Sequence, residues 1–205
     1  MMQRRVSNLD LKIVVLGSAY VGKTSLINRY CNGTFIENTR STIGAGFFTH
    51  SLNIEDSEVT VMLWDTAGEE RFRSVAPSLL RGANGLILVF DLTSPDSFND
   101  IDIYMDMFLD TCRVDPNQNP PVLLLGNKCD IDVEQQKVTT EMIEKWKAKN
   151  HVSLFHNVSA KDGTNVENAF EEFVRSLVTP QTSSENSPIQ IVIAQNTEKK
   201  NKGCC

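Results

Sequence analysis

Gly17-Ser18-Ala19-Tyr20-Val21-Gly22-Lys23-Thr24 decides the reading of this chain. It follows Leu11 to Leu16, an apolar run of strand length, and precedes a segment, 23–31, with helical spacing. A strand that turns through glycines and small residues into a helix gathers backbone N–H groups, the helix N-terminus and one ammonium around a single point. Phosphate is the chemistry that fits. The amides of 17–22 would wrap its oxygens, Lys23 would bridge the outer phosphates, Thr24 would offer its hydroxyl to Mg²⁺, and Ser25 would complete the phosphate-binding set. The competing reading, a glycine-rich turn beside a surface lysine, does not account for the strand-loop-helix setting.

Outward from this loop, strand-length apolar runs alternate with helical periodicity. Strands are expected near 11–16, 46–54, 59–65, 86–91, 122–127 and 153–158, and helices over 23–31, 95–111, 139–150 and 165–178. Alternation of this kind predicts an α/β fold with a mainly parallel sheet. Ser94 with Pro95 marks one helix start, and a Thr164-x-x-Glu167 capping box marks another. The domain is expected over 11–178, after a short extension, 1–10. From 179 the composition turns to Pro, Ser, Thr, Gln, Asn and Lys, which predicts a mobile tail over 179–205.

Three further strand ends carry chemistry. Trp64-Asp65-Thr66-Ala67-Gly68 offers a carboxylate for a metal's water shell and a glycine N–H for a terminal phosphate. Gly126-Asn127-Lys128-Cys129-Asp130 and Val158-Ser159-Ala160-Lys161 then decide the base. A carboxylate such as Asp130 accepts two parallel hydrogen bonds from guanine N1–H and the 2-amino group, a pair that adenine lacks. The Lys128 stem is expected to lie over the ring, and the Ala160 N–H to reach the guanine carbonyl oxygen.

Composition narrows the class. The 205 residues carry 26 acidic and 20 basic side chains, a net charge of −6, which leaves no electrostatic footprint for nucleic acid. Apolar runs such as Leu86 to Phe90, the longest, and Val122 to Leu125 fall far short of the ~20 residues a membrane-spanning helix needs. Five cysteines at scattered spacings give neither a disulfide framework nor a Cys-x-x-Cys metal pair.

With these motifs in order, the chain resembles the Ras superfamily of small GTPases over residues 11–178. Within it the chain is similar to the Rab family in Ile43-Gly-Ala-Gly-Phe47, Leu63-Trp-Asp-Thr-Ala-Gly-Glu-Glu-Arg-Phe72, Arg73-Ser-Val75, Leu80-Arg-Gly-Ala83 and Leu88-Val-Phe-Asp-Leu-Thr93. Asp115-Pro-Asn-Gln-Asn-Pro120 and Pro188-Ile-Gln-Ile191 look most like the late-endosomal branch. The resemblance implies a six-stranded, mostly parallel sheet with helices on both faces, and a switch that binds GTP/GDP with Mg²⁺ and hydrolyses GTP. It implies that Thr24, Thr42 and Asp65 hold the metal, and that Lys23, Thr42, Gly68 and Glu69 serve the reaction. Phe35, Asn127, Lys128, Asp130, Ser159, Ala160 and Lys161 would hold guanine, while Phe47, Trp64 and Leu79 would form the surface that effectors read. An exchange factor, a GTPase-activating protein, an escort protein, a GDP-dissociation inhibitor and effectors are the implied partners of a monomer.

The sequence also departs from that family. Glu69 stands where a glutamine is usual, which removes an N–H donor and adds negative charge beside the phosphates; a low intrinsic rate, or a scaffold that stays loaded with GTP, is the consequence. Leu79 replaces an aromatic, Gly46 an aspartate, Ala19 a serine and Tyr20 a small residue. Tyr20 either lids the phosphates or points to solvent, the second being preferred. The final Cys204-Cys205 resembles a double geranylgeranylation site, and two lipid chains anchor stably where one does not. Residues 179–205 carry three lysines against two glutamates, so a weakly basic tail faces the lipid on the cytosolic side of intracellular membranes, with late endosome or lysosome implied. Ile189-Gln-Ile191 reads as a clip for the escort protein, as a short docked strand, or as chance composition.

Overall fold

A computed structural model describes residues 7–37, 42, 44–55, 57–66, 76–115 and 120–178. Its six strands are β1 (Ser7–Leu16), β2 (Ala45–Ile54), β3 (Ser57–Thr66), β4 (Gly85–Asp91), β5 (Val122–Asn127) and β6 (Leu154–Asn157). They form one sheet in the order β2-β3-β1-β4-β5-β6, parallel except for the β2–β3 hairpin. The helices are α1 (Lys23–Asn32), α2 (Ala76–Leu80), α3 (Pro95–Asn99), α4 (Ile101–Cys112), α5 (Thr140–Asn150) and α6 (Val166–Val178).

The period of two along each strand divides the core. Ile13, Val15, Ile87, Val89, Leu123 and Leu125 face one layer with Leu26 and Ile27 of α1 and Phe170 and Phe173 of α6. Val14, Leu16, Leu86, Leu88, Phe90 and Leu124 face the other, against Leu80 of α2, Phe98 of α3, Met105 and Phe108 of α4, and Trp146 of α5. Strands β4 and β5, buried throughout, are the continuous apolar runs of the sequence, as strands covered on both faces must be.

Chain order reverses at β1. The next strand beside it on one side is β3 and on the other β4, so the carboxyl end of β1 is the switch point where ligands bind in such sheets. The phosphate-type loop 17–22 leaves from that end.

Several expectations change. The helix expected over 95–111 is two helices meeting at Asp100, whose angles stay helical (φ −66°, ψ −19°). Ser94 caps α3 by accepting from the Ser97 N–H, with Pro95 in its first turn, as expected. The capping box at Thr164 does not form, because α6 begins at Val166 and Asn165, left-handed at φ 56°, gives its carbonyl to the Ala169 N–H. The Thr164 N–H is taken instead by the Asp162 carboxylate at 2.8 Å. Helix α2 lies outside the predicted helices, and β1 begins four residues early because Ser7 to Asp10 pair with Ser57 to Thr60 through their backbones.

Candidate functional site

Gly17 and Gly22 shape the loop. A Cβ on Gly17 (φ 150°) would lie 2.1 Å from the Val89 carbonyl oxygen, and one on Gly22 (φ 98°) 2.3 Å from Asn127 Nδ2, so both positions exclude a side chain. Gly22 also occupies the N-cap of α1. Between them Tyr20 adopts φ 64° and is 77% exposed, so its ring points to solvent, the second of its two readings. Ala19 is half-buried, and Ser25 lies in the first turn of α1.

Lys23 is buried and donates to the carbonyl oxygens of Gly17 and Ser18, at 2.8 and 2.9 Å. Burial pushes its ammonium down to about 8, against the opposing attraction of Asp65. The ammonium therefore lies inside the loop whose amides would wrap phosphate.

Beside it, three oxygens converge, from α1, from β3 and from Thr42 ahead of β2. Thr24 Oγ1 donates to Asp65 Oδ2 at 2.6 Å and lies 2.7 Å from Thr42 Oγ1, which is 3.5 Å from the same carboxylate oxygen. Asp65 is 1% exposed, and its Oδ1 has no hydrogen-bond partner among the described residues. Burial raises its pKa, while Thr24, Lys23, Thr42 and the Thr66 backbone oppose the rise. A carboxylate left thus uncompensated among hydroxyl oxygens has the donor chemistry of a small hard cation such as Mg²⁺, so the residues fit the ion the resemblance implies.

The base-side residues meet at the ends of β5 and β6. Asn127, 2% exposed, donates to the Val21 carbonyl at 2.7 Å and accepts from the Ala160 N–H at 3.1 Å, clamping the phosphate-side loop to the segment after β6. The Ala160 N–H, expected to face guanine, is thus engaged by Asn127. Ser159, fully buried, donates to Asp130 Oδ1 at 2.7 Å and accepts from the Lys161 and Asp162 N–H groups. Asp130 itself is exposed. Lys128, at φ 70°, pairs with Asp91 Oδ2 at 2.6 Å, and Phe35 is half-buried against the core.

Sequence reasoning missed two supports. Arg29 on α1 donates to the carbonyls of Ala160, Lys161 and Gly33, and Asp91 anchors Lys128 while accepting from the Thr93 N–H and hydroxyl. An arginine on a helix reads as surface until its carbonyl partners are brought to it.

On the outer hairpin, Phe47 and Trp64 pair directly across β2 and β3, ring centroids 5.1 Å apart and edge-on, with Phe47 52% exposed. Lys12 Nζ lies 5.2 Å from the centre of the Trp64 ring. Trp64 packs on the core layer to which α2 gives Ala76 and Leu80; Leu79 on the same helix is half-buried. Gly68, Glu69, Cys204, Cys205 and the 189–193 stretch lie outside the described residues.

Comparison with known proteins agrees with this geometry. The Ras family model matches residues 12–179. Ras-related protein Rab-7a of Paramecium octaurelia is 38% identical over 199 residues, covering 95% of this chain and 96% of that protein. Ras-related protein Rab7 of Drosophila melanogaster is 38% identical over 200 residues, 95% of each chain, and Ras-related protein Rab-7b of Mus musculus 37% identical over 199, 96% of this chain and 97% of the other. A loop of this geometry at the switch point, the guanine-type segments after β5 and β6, and relatives matched along nearly their whole length lead to one conclusion: the chain belongs to the Ras family of GTPases and, within it, to the Rab proteins on the Rab7 side.

Proposed function

We propose that this chain is a membrane-anchored GTP/GDP switch of vesicle trafficking that cleaves GTP to GDP and phosphate as its timer. The observation that carries the reading is the convergence of Thr24, Thr42 and Asp65 beside the Lys23 loop, with a buried carboxylate oxygen left over. Thr24, Thr42 and Asp65 would hold Mg²⁺, which when bound neutralises charge on the β- and γ-phosphates.

The chain's own groups do the rest. Amides of 17–22 and the N-terminus of α1 receive the phosphate oxygens, and Lys23, with two donors on the loop carbonyls, gives its third to the outer phosphates. Asp130, fixed by Ser159, accepts the guanine edge, and the hydrophobic stem of Lys128 covers the ring with its ammonium held by Asp91. Phe35 would border the base from its place on the core. Thr42 and Gly68 report the γ-phosphate, ordering the segments on either side of the Phe47–Trp64 pair so that effectors bind that face together with Leu79.

In this reading 11–178 is the GTPase body and 179–205 a tail lipidated at Cys204 and Cys205, which an escort protein presents and a GDP-dissociation inhibitor extracts. Late endosome or lysosome is the proposed compartment, with an exchange factor and an activating protein setting the cycle. Glu69 makes the intrinsic rate low in this proposal.

The deciding experiment titrates the full chain with fluorescent GDP, with Mg²⁺ and with chelator, against GTP and ATP competitors. Mg²⁺-dependent retention displaced by GTP and not by ATP is expected. Equal displacement by ATP refutes the guanine assignment.

A further inference from the structure

Left-handed backbone at a bulky residue needs something to hold it, and Tyr20 is such a residue, at φ 64° with its ring 77% exposed. Burial of the ring contributes little to fixing the turn. Among the described residues, three side chains brace the loop around it. Lys23 holds the carbonyls of Gly17 and Ser18, Asn127 holds that of Val21, and the Ser18 hydroxyl donates to Asp100 Oδ2 at 2.6 Å. Lys23 spends two of its three donors on the Gly17 and Ser18 carbonyls and leaves the third for phosphate. Asn127 braces the loop one residue after Tyr20. Ser18–Asp100 is then the side-chain tie on the other flank.

Asp100 is built to be a fixed post. It joins α3 to α4, its N–H donates to the Asp96 carbonyl at 3.0 Å, and its own carbonyl accepts from the Ile103 N–H at 3.2 Å. The bond to Ser18 spans 82 positions of sequence, is short, and has a carboxylate acceptor, the stronger class of hydrogen bond. The Ser18 hydroxyl is thereby directed to the α3–α4 corner, leaving the loop's backbone amides for phosphate.

We propose that Asp100 is a positioning residue of the phosphate loop: through Ser18 it holds the left-handed turn at Tyr20 in the shape that receives phosphate, and so slows nucleotide release. The proposal rests on the guanine-nucleotide reading above. It adds a residue at the α3–α4 junction, away from the loop in sequence, that governs how long the switch stays loaded.

Release of fluorescent GDP from the full chain in Mg²⁺ tests it, with Ser18→Ala, Asp100→Ala, the double variant, and Tyr20→Gly in the Ser18→Ala background. Each single variant is expected to release nucleotide about tenfold faster, the scale of one charge-assisted hydrogen bond. The double variant should match the singles, because both remove the same bond. Tyr20→Gly should restore slow release to Ser18→Ala, since glycine takes φ 64° without strain, a rescue that a merely structural role for Ser18 does not produce. Parental release rates in Ser18→Ala, or additive effects in the double variant, overturn the proposal while leaving the nucleotide reading intact. If Asp100→Ala does not fold, Ser18→Ala with its Tyr20→Gly rescue decides alone. Failure of the parental chain to retain GDP overturns both readings.

Discussion

Removing Asn127 should loosen two loops at once. Its amide is 2% exposed and supplies one hydrogen bond to the Val21 carbonyl and accepts one from the Ala160 N–H. In Asn127→Ala both bonds vanish, and the two backbone groups left behind are buried. Each lost neutral bond is worth ~1 kcal/mol net, and each stranded buried partner costs ~1–3 kcal/mol unless water reaches it, so the loss should be about 3 kcal/mol. For a domain of this size that lowers the midpoint of thermal unfolding by about 6–12 °C. Urea unfolding of the nucleotide-free protein measures the first number, and release of fluorescent GDP measures the coupling, because on the proposed reading Val21 belongs to the phosphate side and Ala160 to the base side. Asn127→Asp sharpens the test: it can still accept from Ala160, yet it sets a carboxylate oxygen against the Val21 carbonyl, so it should not recover stability. A loss below ~1 kcal/mol in Asn127→Ala would show that the bridge bears little load. A full loss of stability with unchanged GDP release would show that the bridge does not couple the two halves of the site.

Asp130→Asn should shift preference from guanine toward xanthine nucleotides, because an amide donor meets the 2-oxo group; tight GTP binding without gain for the xanthine nucleotide, measured by competition, argues against the base loop. Lys23 sets a pH dependence: its folded value of about 8 lies below the ordinary 10.5, so its penalty on nucleotide-free stability is full below pH 8 and is relieved as pH rises toward 10.5, a trend that Lys23→Met should abolish in urea titrations. Nucleotide affinity should fall over the same rise, as the ammonium that meets phosphate is lost. Glu69→Gln should hydrolyse GTP faster in single turnover, by less than the ~10²–10³ typical of one preorganised donor; equal rates would make Glu69 a neutral replacement. Deleting Cys204 and Cys205 should leave the protein off membranes in fractionated cells with nucleotide affinity unchanged, and persistent membrane association would refute the lipid anchor.

What the sequence discloses follows from how each residue acts. Strands β4 and β5 are legible because both of their faces are buried, and α6 because its apolar stripe is Val166, Ala169, Phe170, Phe173 and Val174. Helix α2, five residues with Pro77 inside, is too short to show a period. The loop glycines are legible because backbone geometry admits few residue types there, and Asn127 because it stands in the Gly126-Asn127-Lys128-Cys129-Asp130 segment at the end of β5. Arg29, Asp91 and Asp100 are not, since their value lies in partners the fold brings from far along the chain, 131 positions for Arg29 with Ala160 and 82 for Asp100 with Ser18. Asp100 also hid within a helical pattern that ran unbroken through 95–111.

The β2–β3 hairpin suggests how little distance separates the nucleotide from the surface that partners would read. Asp65 and Trp64 are successive residues of β3, so the pleat sends the buried carboxylate to one side and the indole to the other. Their partners across the register are Gly46 and Phe47. Thr42, three residues before β2, reaches the same carboxylate through Thr24. On the proposed reading, a change at the γ-phosphate that moves Thr42 pulls on the strand that carries Phe47, with no long relay between. Gly46 shapes that coupling: a Cβ there would lie 3.4 Å from Asp65 Cβ and 3.3 Å from the Phe48 ring, close enough that a neighbour must yield. An aspartate in its place would press on the metal-side carboxylate with both bulk and like charge, so the glycine at this position leaves Asp65 freer to settle against Thr24 and Thr42.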